Sequence, residues 1–194
     1  MKKTGLFFGS FNPVHIGHLI IANHIVEHTD LDEVWLVITP HNPHKIKSSL
    51  LNDIQRLTMV RMALENYPKL KACKVEFDLP QPNYTINTLT ILQEKYPERN
   101  FYLLMGQDNL ASFHKWRNYE NILTYYQILV YPRISHKIVP QQFLNHPKIK
   151  FVKAPIIEIS ATQIRNDIKA GKNVRPLLPP EVYRYIDEMH FYKK

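Results

Sequence analysis

The sequence predicts an α/β protein: a Rossmann-like open parallel sheet of five or six strands with helices on both faces. Three observations carry this reading. Short apolar runs alternate with segments of helical spacing along the chain. The first runs are apolar throughout instead of alternating with polar residues, as strands buried on both faces are. The first run, Leu6-Phe7-Phe8, stops at Gly9, and turn-forming Asn12-Pro13 lead into a segment of helical look. Strand, short turn and helix opening is how α/β proteins present backbone N–H groups to a phosphate.

The elements follow in order. Residues 4–8 form the first strand and 16–27 the first helix. A second apolar strand, 33–39, ends at Pro40. The loop 40–49 (PHNPHKIKSS) is rich in Pro, His and Lys and follows a strand's carboxyl end, the ligand side of an open sheet. Residues 52–66 repeat apolar side chains at helical spacing (Ile54, Leu57, Val60, Met62, Leu64). A third strand is expected at 72–77, a helix at 84–96 with Thr85 as N-cap, and a fourth strand at 101–105 running into Gly106-Gln107-Asp108. A helix at 118–126, a fifth strand at 127–131 and a short sixth at 149–152 come next. Ser160 and Gln163 form a capping box for a helix over 160–170, with Gly171 as its stop. Pro179-Pro180 introduce a final helix, 181–190. Right-handed crossovers join the parallel strands, and the missing G-x-G-x-x-G argues against a dinucleotide oxidoreductase.

Composition narrows the class. The 194 residues suit a single domain over 1–194, and an apolar content of 44% with mixed charge reads as soluble and globular. A single cysteine, Cys73, cannot close an internal disulfide, which points to a reducing cytoplasm. The opening Met-Lys-Lys and apolar run resemble a signal peptide only until Asn12, Pro13, His15 and His18 interrupt them, and no apolar stretch reaches membrane-spanning length. The net charge of +8 suits a small, highly anionic substrate or a nucleic acid, but the basic residues are scattered. No specific nucleic-acid partner and no membrane are expected, and homo-oligomerisation is left open.

Two strings carry chemistry. In the first, Gly9 to His18 (GSFNPVHIGH), a helix beginning near His15 sets His15 and His18 on one face of its first turn. Two imidazoles beside the positive end of a helix suit a polyphosphate. They suit a metal less, because no third ligand is near. Spacing alone says little, since His41 and His44 repeat it. The second string, Ile159 to Arg165 (ISATQIR), places a hydroxyl, free N–H groups and an arginine at a helix start. Arginine grips phosphate oxygens with a fork of donors that lysine lacks.

The first string resembles the G-[GST]-[ST]-F-[DN]-P-x-H-x-G-H signature of the nucleotidylyltransferase superfamily, and the second resembles I-S-[SA]-T-x-[IV]-R of its adenylyltransferases. Within the superfamily the chain is similar, over almost its whole length, to the bacterial nicotinate-nucleotide adenylyltransferases. Matching features are Pro43-His44-Lys45, Tyr84-Thr85 with Thr88-Leu89, Gly106 to Leu110, and His114-Lys115-Trp116. Asn12 stands where Asp is commoner, Asn83 and Asn87 replace frequent Ser and Asp, and Ala161 replaces a Ser.

The resemblance implies transfer of AMP from ATP to the 5′-phosphate of nicotinate mononucleotide, with Mg²⁺ carried in by ATP. It implies that His15, His18 and Arg165 are catalytic. Gly9, Ser10, Phe11, Gly106, Asp108, Ser160 and Thr162 would complete the ATP site with them. For the acceptor, Trp116 would stack on the pyridinium ring, Tyr84 and Thr85 would offer backbone N–H groups to the nicotinate carboxylate, and Lys45 with Arg133 would neutralise phosphate. Trp116 as core or lid packing and Asp108 as a helix N-cap are the plainer alternatives. Pantetheine-phosphate adenylyltransferase is the rival enzyme, although it carries T-x-G-H where this chain has H-x-G-H. A class I aminoacyl-tRNA synthetase fragment would need a K-M-S-K-S element that is absent, and a basic nucleic-acid-binding protein is supported by charge alone.

Overall fold

Every strand expected from an apolar run is present in the computed structural model, which describes residues 1–40 and 50–193. The strands are β1 (Lys2–Gly9), β2 (Glu33–Ile38), β3 (Leu70–Cys73), β4 (Arg99–Gly106), β5 (Gln127–Tyr131) and β6 (Ile149–Phe151). They form one parallel sheet in the order β3-β2-β1-β4-β5-β6. From β1 the chain builds outward through β2 and β3, then returns to the other side of β1 with β4. The order therefore reverses between β1 and β4, and a crevice opens at the carboxyl ends of the strands there.

Period-2 alternation divides β1, β2, β4 and β5 between two cores. Phe7, Leu36, Leu104 and Leu129 pack on one face with α1 (Ile16–His28), α2 (Asp53–Leu64), α7 (Ala161–Lys169) and α8 (Pro180–Glu188). Leu6, Val37, Leu103 and Ile128 pack on the other with α3 (Thr85–Lys95), α5 (Tyr119–Tyr125) and α6 (Gln141–Leu144). A further short helix, α4 (Gln107–Leu110), leaves β4 directly.

Several boundaries differ from those expected. The ladder of β3 with β2 ends at Cys73, opposite Val37. Val75–Asp78 curls into a 3-10 turn, which carries Glu76 inward beneath α3. Tyr84, not Thr85, is the N-cap of α3, so Thr85 is its first helical residue. Ser160 caps α7 by accepting from the Gln163 N–H at 3.2 Å, but the Gln163 side chain turns away to Asp167, leaving half a capping box. The four-residue helices α4 and α6 are too short to show a period and went unpredicted.

At the amino ends of the strands a buried carboxylate ties the sheet together. Glu33 opens β2 and is 2% exposed. Its oxygens accept from Lys2 at 2.7 Å, Lys71 at 3.0 Å, the Trp35 indole at 2.8 Å and Arg99. Burial alone would raise its pKa. The bonds from Lys2, Lys71 and Trp35 and the charge of Arg99 outweigh that and hold it at about 2.

Candidate active site

The turn after β1 is built under constraint. Phe11 adopts φ +45°, a left-handed conformation that costs a non-glycine residue about 1–2 kcal/mol. Burial of its ring offsets that cost: Phe11 is 1% exposed and packs edge-on against Phe7 and His18. Arg56 of α2, fully buried, fixes the turn from below by donating to the carbonyls of Ser10, Thr39 and Leu51. Asn12 ties in two further segments, its Oδ1 accepting from the Leu51 N–H at 3.3 Å and from the Tyr192 hydroxyl at 2.7 Å.

His15 is the N-cap of α1 and His18 lies three residues on, so the expected pairing is present. Their rings stack with centroids 3.7 Å apart. The His15 N–H donates to Nδ1 of His18 at 3.2 Å. In the neutral ring that leaves the His18 proton on Nε2, a donor. His15 is 5% exposed, and burial, aided by the Arg133 charge, lowers its pKa to about 4. Gly17 between them is there for space: a Cβ would sit 2.9 Å from Ile157 and 3.1 Å from the His15 ring.

The second string meets the first. Arg165 of α7 donates to the carbonyl of Asn12 at 2.8 Å, and its fork also reaches the Thr162 hydroxyl at 3.3 Å. Residues 153 positions apart are thereby joined at one cavity of about 1200 Å³, above the range usual for a single small ligand. Gly9, Ser10, Phe11, His15 and His18 line it from β1 and α1, and Ser160, Thr162 and Arg165 from α7.

Tyr84, Thr85, Asp108, Trp116 and Arg133 line the same cavity. Gly106 lies behind Asp108, where a Cβ would come within 2.4 Å of that carboxyl. Asp108 is not a helix N-cap, since Gly106 holds that position in α4; its Oδ2 faces Arg133 at 3.8 Å. Trp116 packs its ring edge-on against Phe113 at 5.4 Å and also faces the cavity, so packing and lining coexist. Lys45 lies outside the described residues, as do His41 and His44.

Sequence reading missed Arg56, Glu76 and Arg117, and marked Asn83 only as a departure from the family pattern. Arg117, next to Trp116, holds its guanidinium 4.7 Å from the Tyr84 ring centroid and lines the cavity; the basic, aromatic run Lys115-Trp116-Arg117 was its signal. Arg56 reads as an ordinary helix arginine and gave none. Among the described residues, no three His, Cys, Asp or Glu side chains cluster as a metal cage. No described helix is long and apolar enough to cross a membrane.

A Rossmann-like sheet with paired histidines and a capped arginine helix at its switch point defines a nucleotidyl-transfer type of site, and known proteins agree. Residues 6–167 match the family described as cytidylyltransferase-like. The "probable nicotinate-nucleotide adenylyltransferase" of Flavobacterium psychrophilum is 61% identical, covering 99% of this chain and all of its own. That of Bacteroides thetaiotaomicron is 44% identical over 96% of this chain and 91% of its own. Plasmodium falciparum nicotinic acid mononucleotide adenylyltransferase, solved in complex with NaAD, superposes with a TM-score of 0.82 at 20% identity, covering 100% and 98% of the two chains. The chain belongs to the cytidylyltransferase-like family and, within it, to the nicotinate-nucleotide adenylyltransferases.

Proposed function

We propose that this chain transfers AMP from ATP to the phosphate of nicotinate mononucleotide, forming deamido-NAD and releasing pyrophosphate. The observation that carries the reading is the bond from Arg165 to the Asn12 carbonyl, which brings both phosphate-binding strings to one cavity beside His15 and His18.

An oxygen of the acceptor phosphate attacks the α-phosphorus of ATP; a P–O bond forms there while the bond to the β-phosphate oxygen breaks. No protein nucleophile is needed. Catalysis reduces to aligning two polyanions and stabilising charge on phosphate oxygens. His15 and His18 donate to the phosphates in the transition state. Ser160, Thr162, Arg165 and the free N–H groups opening α7 hold the β- and γ-phosphates. Gly9, Ser10 and Phe11 bring backbone close to the nucleotide, with Gly106 leaving room for Asp108 to accept its hydroxyls. Trp116 stacks on the pyridinium ring, the N–H groups at Tyr84-Thr85 face the ring carboxylate, and Arg133 with Lys45 neutralises the acceptor phosphate. With no cage of carboxylates among the described residues, a Mg²⁺ arriving with ATP would be held by the phosphates and would neutralise charge on them. Residues 1–194 act as one catalytic domain, working in the cytoplasm with ATP and the mononucleotide as its partners.

The test is an incubation with ATP and Mg²⁺ plus nicotinate mononucleotide or phosphopantetheine, with products identified by mass. Deamido-NAD and pyrophosphate are expected. Adenylylation of phosphopantetheine alone would contradict the reading.

A further inference from the structure

Glu76 is a buried acid that the chemistry above leaves unused. It sits on the Val75–Asp78 turn and is 1% exposed. Its Oε1 accepts from the Thr88 hydroxyl at 2.7 Å, and Thr88 lies in the first turn of α3, so the carboxyl rests against that helix's amino end. Its Oε2 makes no hydrogen bond of ordinary geometry, although the Thr39 hydroxyl lies near enough to act on the carboxyl. Asn83, 6% exposed, donates from Nδ2 to the Glu76 carbonyl at 3.1 Å. That bond fixes the amide so that Oδ1 faces elsewhere, and Oδ1 too is without a partner. Both residues line the cavity beside Tyr84 and Thr85.

Buried oxygens without donors are costly and rare, so two in one stretch of cavity wall point to a ligand that completes them. The ligand group here differs between the candidate acceptors: a ring carboxylate in one mononucleotide, a carboxamide in the other. The N–H groups at Tyr84-Thr85 on their own favour the carboxylate, since an amide NH₂ facing them finds no acceptor. Glu76 changes that. Its carboxyl lies against the first turn of α3 through the Thr88 hydroxyl, so when ionised it sets like charge beside a ring carboxylate held at Tyr84-Thr85. A neutral Glu76 instead offers an O–H to the ring carboxylate, whereas an ionised Glu76 accepts from the NH₂ of a carboxamide. Asn83 Oδ1 is an acceptor in both cases.

Resting on the acceptor pocket assigned above, we propose that Glu76 determines acceptor specificity: protonated it binds the ring carboxylate, and ionised it favours the ring carboxamide. Burial raises the Glu76 pKa above the ordinary carboxylate value, against the hydroxyls of Thr88 and Thr39. Among the described residues, the groups packed around it are few. From β3 comes the Cys73 thiol, itself raised by burial, and Tyr84, with Arg117 over its ring, lines the same cavity. Lys74 and Asp78 on its own turn are exposed.

The test is kcat/KM for nicotinate and nicotinamide mononucleotides, measured in parallel from about pH 5 to about pH 9. Both share the ribose phosphate and ATP, so titrations of those groups cancel in the ratio. The nicotinate-to-nicotinamide ratio is expected to fall about tenfold or more with rising pH. In Glu76→Gln, whose amide does not ionise, the ratio is expected to be flat. A flat wild-type ratio, or a Glu76→Gln ratio with the wild-type slope, overturns the proposal, and the wild-type slope decides even if the variant does not fold. Failure to adenylylate either acceptor at any pH overturns the functional reading itself, and this proposal with it.

Discussion

The two ends of the sheet treat buried polar groups in opposite ways. At the amino ends, Glu33 is fully supplied with partners from Lys2, Lys71, Arg99 and Trp35, and a carboxylate so paired supports the fold. At the carboxyl ends, the polar groups are left incomplete. Of six buried side-chain atoms without a hydrogen-bond partner among the described residues, four belong to cavity-lining residues: His15, Glu76, Asn83 and Asp108. A group with its partners in place is structural. Unpartnered atoms gather at the cavity end, with Arg99 and Gln127 at the amino ends keeping one each, so the contrast between the two ends is one of degree.

The largest stability change is expected from emptying the satisfied end. Glu33→Ala leaves Arg99 with only the Thr4 hydroxyl and the exposed Glu98 beside two lysines whose tips reach water, and a loss of about 3 kcal/mol is expected from chemical denaturation, with kcat per folded molecule unchanged. Acid titration bears on the same contrast. His15, lowered from 6.5 to about 4, contributes stability that is present above its ordinary value and lost as pH falls through about 4. Glu33, lowered from 4.5 to about 2, contributes stability lost further down, as pH falls toward about 2. Unfolding midpoints measured down a pH series should therefore decline in two stages, and Glu33→Gln should lack the lower one.

At the incomplete end, effects should fall on rate and binding. Arg165→Lys keeps the charge but not the fork that reaches Asn12 and Thr162, and about a tenfold drop in kcat/KM for ATP is expected. Unchanged kinetics would return Arg165 to a structural role. Trp116→Ala should have the smallest effect, raising KM about three- to fivefold for either mononucleotide, because the stack does not sense the ring substituent. A change in KM for only one of them would argue against stacking.

Much of this was legible before any coordinates. The parallel sheet followed from Phe7, Leu36 and their neighbours, since a strand buried on both faces can only be apolar throughout. The histidine pair, Ser160 and Arg165 could be located because they stand in two strings that resemble family signatures and open helices. What was hidden depended on long-range partners. Residues 72–77 read as one strand, yet Glu76 turns inward to meet Thr88, twelve residues on, and the strand ends at Cys73. Nothing in the sequence sets Arg56 apart; its role appears only when three carbonyls from separate segments converge on it.

His18→Ala, assayed for thermal unfolding and for AMP transfer at saturating ATP and nicotinate mononucleotide, tests the central claim most directly. His18 is only half-buried and belongs to the incomplete end, so Tm should hold within about 3 °C while kcat falls on the order of 10²–10³-fold. A variant with near wild-type kcat, or one whose lost activity follows lost folding, would contradict the assignment of this end of the sheet to phosphate chemistry.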